Sequence, residues 1–190
     1  MKAYPSLPEG YRQILQISLQ SDKKTALRVN VGGGIVMALV LLTGHFIVPI
    51  GSAADGSLSG YFLRLSVMFL AYTAYIVLHE LTHAAVMKAV GGGKVRFGFT
   101  GMYAYAGSET DFFDKLSYRC IALAPLVVWG IVFGVLAAAV PADWFWVVWL
   151  LQAGNIGGAA GDVYVTARLW KMPGTILVRD TGVDMTVYGR

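Results

Sequence analysis

Four long apolar runs divide the chain, at roughly residues 31–50, 61–90, 117–140 and 143–170. A helix needs about 20 apolar residues to span some 30 Å of hydrocarbon at 1.5 Å per residue. All four runs reach that length, so the pattern predicts four transmembrane helices, the second and fourth projecting beyond the bilayer. Outside the runs the period changes to two. Leu15, Ile17 and Leu19 alternate with Gln16, Ser18 and Gln20, and Val95, Phe97 and Phe99 alternate with Arg96, Gly98 and Thr100. That is the spacing of half-buried strands. With Tyr103 and Tyr105 following, residues 94–107 are expected to form a hairpin or strand pair. Residues 176–179 and 183–188 flank Asp180-Thr181-Gly182 as a further hairpin. The expected fold is a membrane all-α core of four transmembrane helices with a small cytoplasmic β-structure. It divides into an N-terminal segment (1–30), a four-helix core (31–170) and a C-terminal hairpin (171–190).

Composition agrees. Hydrophobic residues make up 56% of the chain and charged residues only 14%, against about 25% in a soluble domain. One cysteine, Cys120, excludes an internal disulfide framework and a multi-cysteine zinc site. The net charge of +4 does not imply nucleic acid as a partner, because the basic residues gather at the ends of the apolar runs. Lys2, Arg12, Lys23, Lys24 and Arg28 precede the first run, and Lys94, Arg96 and Lys115 follow the second. Lys171, Arg179 and Arg190 follow the fourth, whereas the intervening links carry only Asp55 and Asp143. The positive-inside rule then predicts a multi-pass cell-membrane protein with both termini cytoplasmic. The first 30 residues hold no apolar leader core, so no cleaved signal peptide is expected.

Candidate chemistry lies in the second run. Between residues 61 and 90 the ionisable groups besides tyrosine are Arg64, His79, Glu80, His83 and Lys88. Burying such groups in a bilayer is costly, roughly 2.5–3.5 kcal/mol for an Asp, Lys or Arg at a helix centre on insertion scales. His79-Glu80-Leu81-Thr82-His83 supplies a reason. Histidines four apart share a helix face and can ligate one zinc. A glutamate after the first can reach a metal-bound water as general base. A catalytic zinc takes a third protein ligand, for which His45, Glu109, Asp111, Asp114, Asp143 and Asp162 are candidates. Depth separates them. His79 lies 18 residues after Tyr61 and Asp162 lies 19 after Asp143, about 27 and 28 Å from the outer ends of their runs. His45 lies about 21 Å up the first run, too far away and better read as packed or hydrogen-bonded. Asp143 is at the wrong end, and Glu109, Asp111 and Asp114 are expected in a solvated loop. Asn155, Ala159 and Asp162 share a face among glycines that permit close helix approach. From there Asn155 could hydrogen-bond substrate or a tetrahedral oxyanion.

The histidine motif on one predicted membrane helix, Ala124-Pro125 in the next and Asn155 with Asp162 in the last resemble the site-2-type intramembrane zinc metalloproteases over residues 61–170. The whole chain, including Met172-Pro173-Gly174 and Asp180-Thr181-Gly182, resembles more closely a smaller group of membrane proteins classed as putative zincin peptidases. The site-2 pattern has Leu-Asp-Gly where Gly161-Asp162-Val163 stands, an Asn eight residues before the Asp instead of seven, an intervening Pro, and Gly-Pro in place of Ala124-Pro125. The combined reading is a zinc metallopeptidase acting on membrane-bound or membrane-proximal polypeptides. His79, His83 and Asp162 would hold zinc, with Glu80 and Asn155 as catalytic groups. The alternatives are a non-catalytic metal-binding adaptor, against which Glu80 argues, and a membrane hydrolase acting on lipid or prenylated peptide. Asp180-Thr181-Gly182 matches an aspartic-protease tripeptide, but that chemistry needs two such carboxylates, so a turn is expected. Gly91-Gly92-Gly93 lacks a phosphate loop's Lys-Ser/Thr and is expected to stop the second helix. Trp144, Trp146 and Trp149 are expected as an interfacial belt.

Overall fold

The computed structural model describes residues 1–51, 57–101 and 103–190. Asp55, the acid in the first link, lies outside the described residues. Helix α1 spans Lys23–Ile47, α2 Leu58–Ala89 and α3 Lys115–Ala139. These three are long and apolar enough to cross a membrane. Helix α1 begins ahead of its apolar run because Asp22 caps it. The Asp22 carboxylate accepts from the Thr25 N–H at 3.0 Å, satisfying one of the donors that a helix start leaves open.

The end of α2 is built by the glycine triplet. Gly91 adopts φ +91°, its N–H bonds to the Lys88 carbonyl, and the Gly92 N–H bonds to the Met87 carbonyl at 2.8 Å. This pair of returning bonds is a Schellman stop, and the left-handed residue in it favours glycine.

The fourth apolar run departs from expectation. It forms α4 over Ala142–Gly158 and α5 over Ala160–Trp170, separated at Ala159. Gly154, Gly157, Gly158 and Gly161 surround the break, and each glycine weakens a helix interior by about 0.8–1 kcal/mol relative to alanine. Two of these glycines serve contact, Gly154 against Tyr72 and Gly157 against α1. A Cβ built on Gly33 would lie 2.5 Å from the Gly157 carbonyl oxygen, and one on Gly157 would lie 2.7 Å from Met37 Cβ, so α1 and α4 meet backbone to backbone. At Gly32 and Gly34 a Cβ would meet nothing within 4 Å. Gly33→Ala should therefore destabilise the protein by about 1–3 kcal/mol, as overpacking does. Gly32→Ala should be neutral or stabilise by up to about 1 kcal/mol. Unfolding of both variants in detergent tests the contrast. Trp149 takes part in the same seam. It lies over Gly44, donates its indole N–H to the Val40 carbonyl at 2.7 Å and stacks on Phe145 at 5.2 Å.

The β-structure is larger than two hairpins. Strands β1 (Ala3–Tyr4), β2 (Arg12–Ile17), β5 (Phe112–Asp114), β6 (Leu177–Asp180) and β7 (Met185–Gly189) form an antiparallel sheet in the order β1-β5-β6-β7-β2. Strands β3 (Arg96–Phe99) and β4 (Ala104–Gly107) form the expected separate hairpin. Strands β1 and β5 are too short to leave a periodic signal. One sheet face packs Phe113, Val178, Met185 and Val187 against Met87, Tyr118, Ile121, Val165 and Leu169 at the ends of α2, α3 and α5. Phe112, Leu177 and Tyr188 face the other way, beneath Tyr4, Leu7 and Tyr11. Lys115 Nζ donates to the carbonyls of Trp170 at 3.0 Å and Met172 at 2.5 Å, and the Arg119 guanidinium sits 4.3 Å from the Trp170 ring. These contacts tie the end of α5 to the start of α3.

Candidate metal centre

One turn of α2 presents His79, Glu80 and His83, whose potential ligand atoms all lie within 4.8 Å of one another. The histidine rings are 4.9 Å apart, as the spacing of four requires. Thr82, between them, donates to the Leu78 carbonyl and accepts from the Trp129 indole N–H at 3.1 Å, fixing this turn against α3.

Asp162, in the first turn of α5, reaches across to both histidines. Its Oδ2 lies 3.5 Å from His79 Nε2 and its Oδ1 3.7 Å from His83 Nε2. Two atoms bound to one tetrahedral zinc at about 2.0–2.1 Å are themselves about 3.4 Å apart. The spacing of this donor set and its chemistry, two imidazoles with a carboxylate, therefore fit zinc. Two acids flank the histidine pair. Asp162 places one oxygen against each Nε2, and Glu80 shares the cluster with the two histidines.

The other candidates lie elsewhere. His45 Nδ1 accepts from the Ile50 N–H at 3.1 Å, closing the end of α1. Asp143 pairs with Arg64 at 3.6 Å, 15 residues from His79 along α2, or about 22 Å. Glu109 pairs with Arg96 at 2.6 Å. The expectation of a solvated loop fails for Asp111, which is 4% exposed. Its Oδ2 accepts from the Gly93 N–H at 2.7 Å and the Ser108 hydroxyl at 2.6 Å, stapling the end of α2 to the link between β4 and β5. Asp114 caps α3 through the Ser117 N–H at 2.7 Å.

Asn155 is fully buried and both ends of its amide are engaged. Its Oδ1 accepts from the Tyr75 hydroxyl at 2.9 Å and its Nδ2 donates to the Leu126 carbonyl at 3.1 Å. The Tyr75 oxygen also lies 3.0 Å from His79 Nδ1, and His83 Nδ1 lies 2.8 Å from the Ile121 carbonyl oxygen. Sequence reasoning passed over Tyr75 and Ile121. The available signals were a tyrosine one turn before the first histidine, and Pro125 four residues after Ile121.

It also passed over the surroundings of Asp180. The tripeptide is a turn, as expected, with Gly182 at φ +83° and its N–H donating to Asp180 Oδ1 at 2.7 Å. Asp180 Oδ2 accepts from the Tyr118 hydroxyl at 2.7 Å, and the Ser108 N–H donates to the Asp180 carbonyl. Burial pushes the Asp180 carboxyl above its ordinary range, although its hydrogen bonds from Tyr118 and Gly182 favour the ionised form.

Residues 72–177, more than half of the chain, match the model of a family described as putative zincin peptidase. No curated protein and no solved structure matches the chain.

Proposed function

We propose, for a chain that belongs to the putative zincin peptidase family, an integral membrane zinc metallopeptidase that hydrolyses membrane-bound or membrane-proximal polypeptides near the cytoplasmic face. The observation that carries this reading is the convergence of the two Nε2 atoms on one carboxylate, with a second carboxylate beside them. His79, His83 and Asp162 would hold the zinc. When bound, zinc supplies Lewis acidity, lowering the pKa of a coordinated water towards about 7 and polarising a carbonyl. Glu80 would accept a proton from the attacking water and pass it to the leaving amine. Leu81, Ala84 and Ala85 of α2 line an open groove with Val95 and Phe97, and none of the four site residues lines it. A polypeptide could lie in it along β3.

The order of motif, Ala124-Pro125 and Asn155 with Asp162 supports a relation to the site-2-type enzymes. Helices α4 and α5 together would make the fourth crossing, each being too short alone. About one zinc per chain is expected, lost from the His79→Ala, His83→Ala double variant. Full zinc retention in that variant, measured by metal analysis of purified protein, would remove the site.

The proposed topology has its own test. Cysteines at Ser21 and Gly174 should react with an impermeant thiol reagent only from the cytoplasmic side, and one at Ser57 only from outside. The alternating lysine and arginine bias supports this arrangement. Labelling from the opposite sides would invert the orientation without touching the metal centre.

A further inference from the structure

We propose that Tyr75 and the backbone carbonyl of Ile121 set the tautomer and ring orientation of the two histidines, and that Pro125 serves the site by keeping that carbonyl out of the α3 ladder. The inference rests on the zinc reading above only for its consequence. The hydrogen-bond pattern itself is a property of the metal-free protein.

In an α-helix the carbonyl of residue i accepts the N–H of residue i+4. For Ile121 that partner is residue 125, a proline inside α3 with no N–H to give. The carbonyl is left over in a buried place, Ile121 being 1% exposed, and a buried carbonyl needs a donor. His83 Nδ1, at 2.8 Å, is that donor. A carbonyl can only accept, so the proton lies on Nδ1. A neutral imidazole protonated there has its free lone pair on Nε2, the atom that faces Asp162.

His79 arrives at the same state by a longer route. Asn155 cannot be reversed, because its oxygen would then oppose the Leu126 carbonyl, acceptor against acceptor. Its Oδ1 therefore faces Tyr75 and takes the single hydroxyl proton. The Tyr75 oxygen is left to accept, and His79 Nδ1, at 3.0 Å, donates to it. His79 Nε2 is freed towards Asp162. The two rings, on one face of α2, are thus set alike by two unrelated devices, a side-chain relay and a missing backbone hydrogen bond. Tyr75 and Asn155 are positioning residues in this scheme.

The test uses the full chain in detergent with 15N-labelled histidine, at a pH where both rings are neutral. NMR should show both histidines of the metal-free wild type protonated at Nδ1. Pro125→Ala returns an N–H to position 125, where it competes for the Ile121 carbonyl. It should raise or preserve thermal stability, shift His83 towards a mixture of tautomers and weaken zinc binding about 10–100-fold, the usual cost of losing an outer partner of a ligand. Tyr75→Phe should do the same to His79 and leave His83 unchanged. Asn155→Ala frees the Tyr75 proton and should move His79 towards the Nε2–H form with weaker zinc binding. A direct oxyanion role for Asn155 predicts instead an unchanged tautomer and unchanged zinc affinity. Wild-type tautomers other than Nδ1–H, or three variants with unaltered tautomers, would overturn the inference. A wild type that shows the Nδ1–H pattern but takes up no zinc would overturn the metal reading and leave the inference standing.

Discussion

Membranes carrying Glu80→Gln should retain their zinc and lose peptide cleavage. Glutamine nearly reproduces the size of glutamate and still fits beside His79 and His83, but it cannot take a proton. The two Nε2 atoms and Asp162 are untouched by the change. Loss of general acid–base help costs about 10²–10⁴-fold in rate, enough for uncleaved substrate to accumulate. The measurement compares full-length and cleaved membrane polypeptides in deletion cells that carry wild type or the variant, with zinc content determined in parallel. A non-catalytic adaptor predicts full complementation by Glu80→Gln and no accumulated polypeptide, and that result would transfer the assignment to the adaptor. Accumulation of an uncleaved prenylated peptide or an intact lipid instead would move the substrate class and keep the hydrolase.

Asp162→Ala is the second large effect. Asp162 sets one oxygen against each histidine, so its removal deletes a charged donor and leaves the two Nε2 atoms without their shared partner. Outer-shell losses at zinc sites already cost about 10–100-fold in affinity, and a direct ligand should exceed about 100-fold. Hydrolysis should vanish with the metal. Glu109→Ala is the matched control, since that carboxylate pairs with Arg96 at the surface and should leave zinc binding unchanged. Equal zinc affinities in the two variants would remove Asp162 from the ligand set. Glu80, which shares the cluster with the histidines, would then become the third ligand to test.

The sequence showed most where one physical constraint acted locally. Hydrocarbon thickness made the long helices visible, helical periodicity put His79 and His83 on one face, period-two alternation marked β3 and the last three residues of β2, and the Asp180-Thr181-Gly182 turn marked the last hairpin. What it concealed depended on distant partners. Strand β5 is three residues long and acquires its identity only by pairing with β1 and β6. Asp111 looks like a loop acid until Gly93 and Ser108 are brought to it. The break at Ala159 was invisible to hydropathy because both halves of the run are apolar. Asp162 could be singled out from depth and neighbours. Its two-oxygen approach to the histidines required the contact of α5 with α3, which Lys115 and Arg119 secure. The outer partners of the histidines were hidden for another reason: one is a backbone carbonyl, and its availability is written in a different residue, Pro125.

The pairing of β2 with β7 joins Arg12 to Gly189, and this has a consequence for the order in which the protein matures. A ribosome adds about 5–20 residues per second, so β2 waits seconds for its partner while the helices between them are already being inserted. Sheet pairings of such long sequence separation also form slowly. The five-stranded sheet therefore closes only at the end of synthesis, when β6 and β7 come to lie between β5 and β2. A chain interrupted ahead of β6 would carry the histidine pair and Asp162 but would lack the two strands that join β5 to β2.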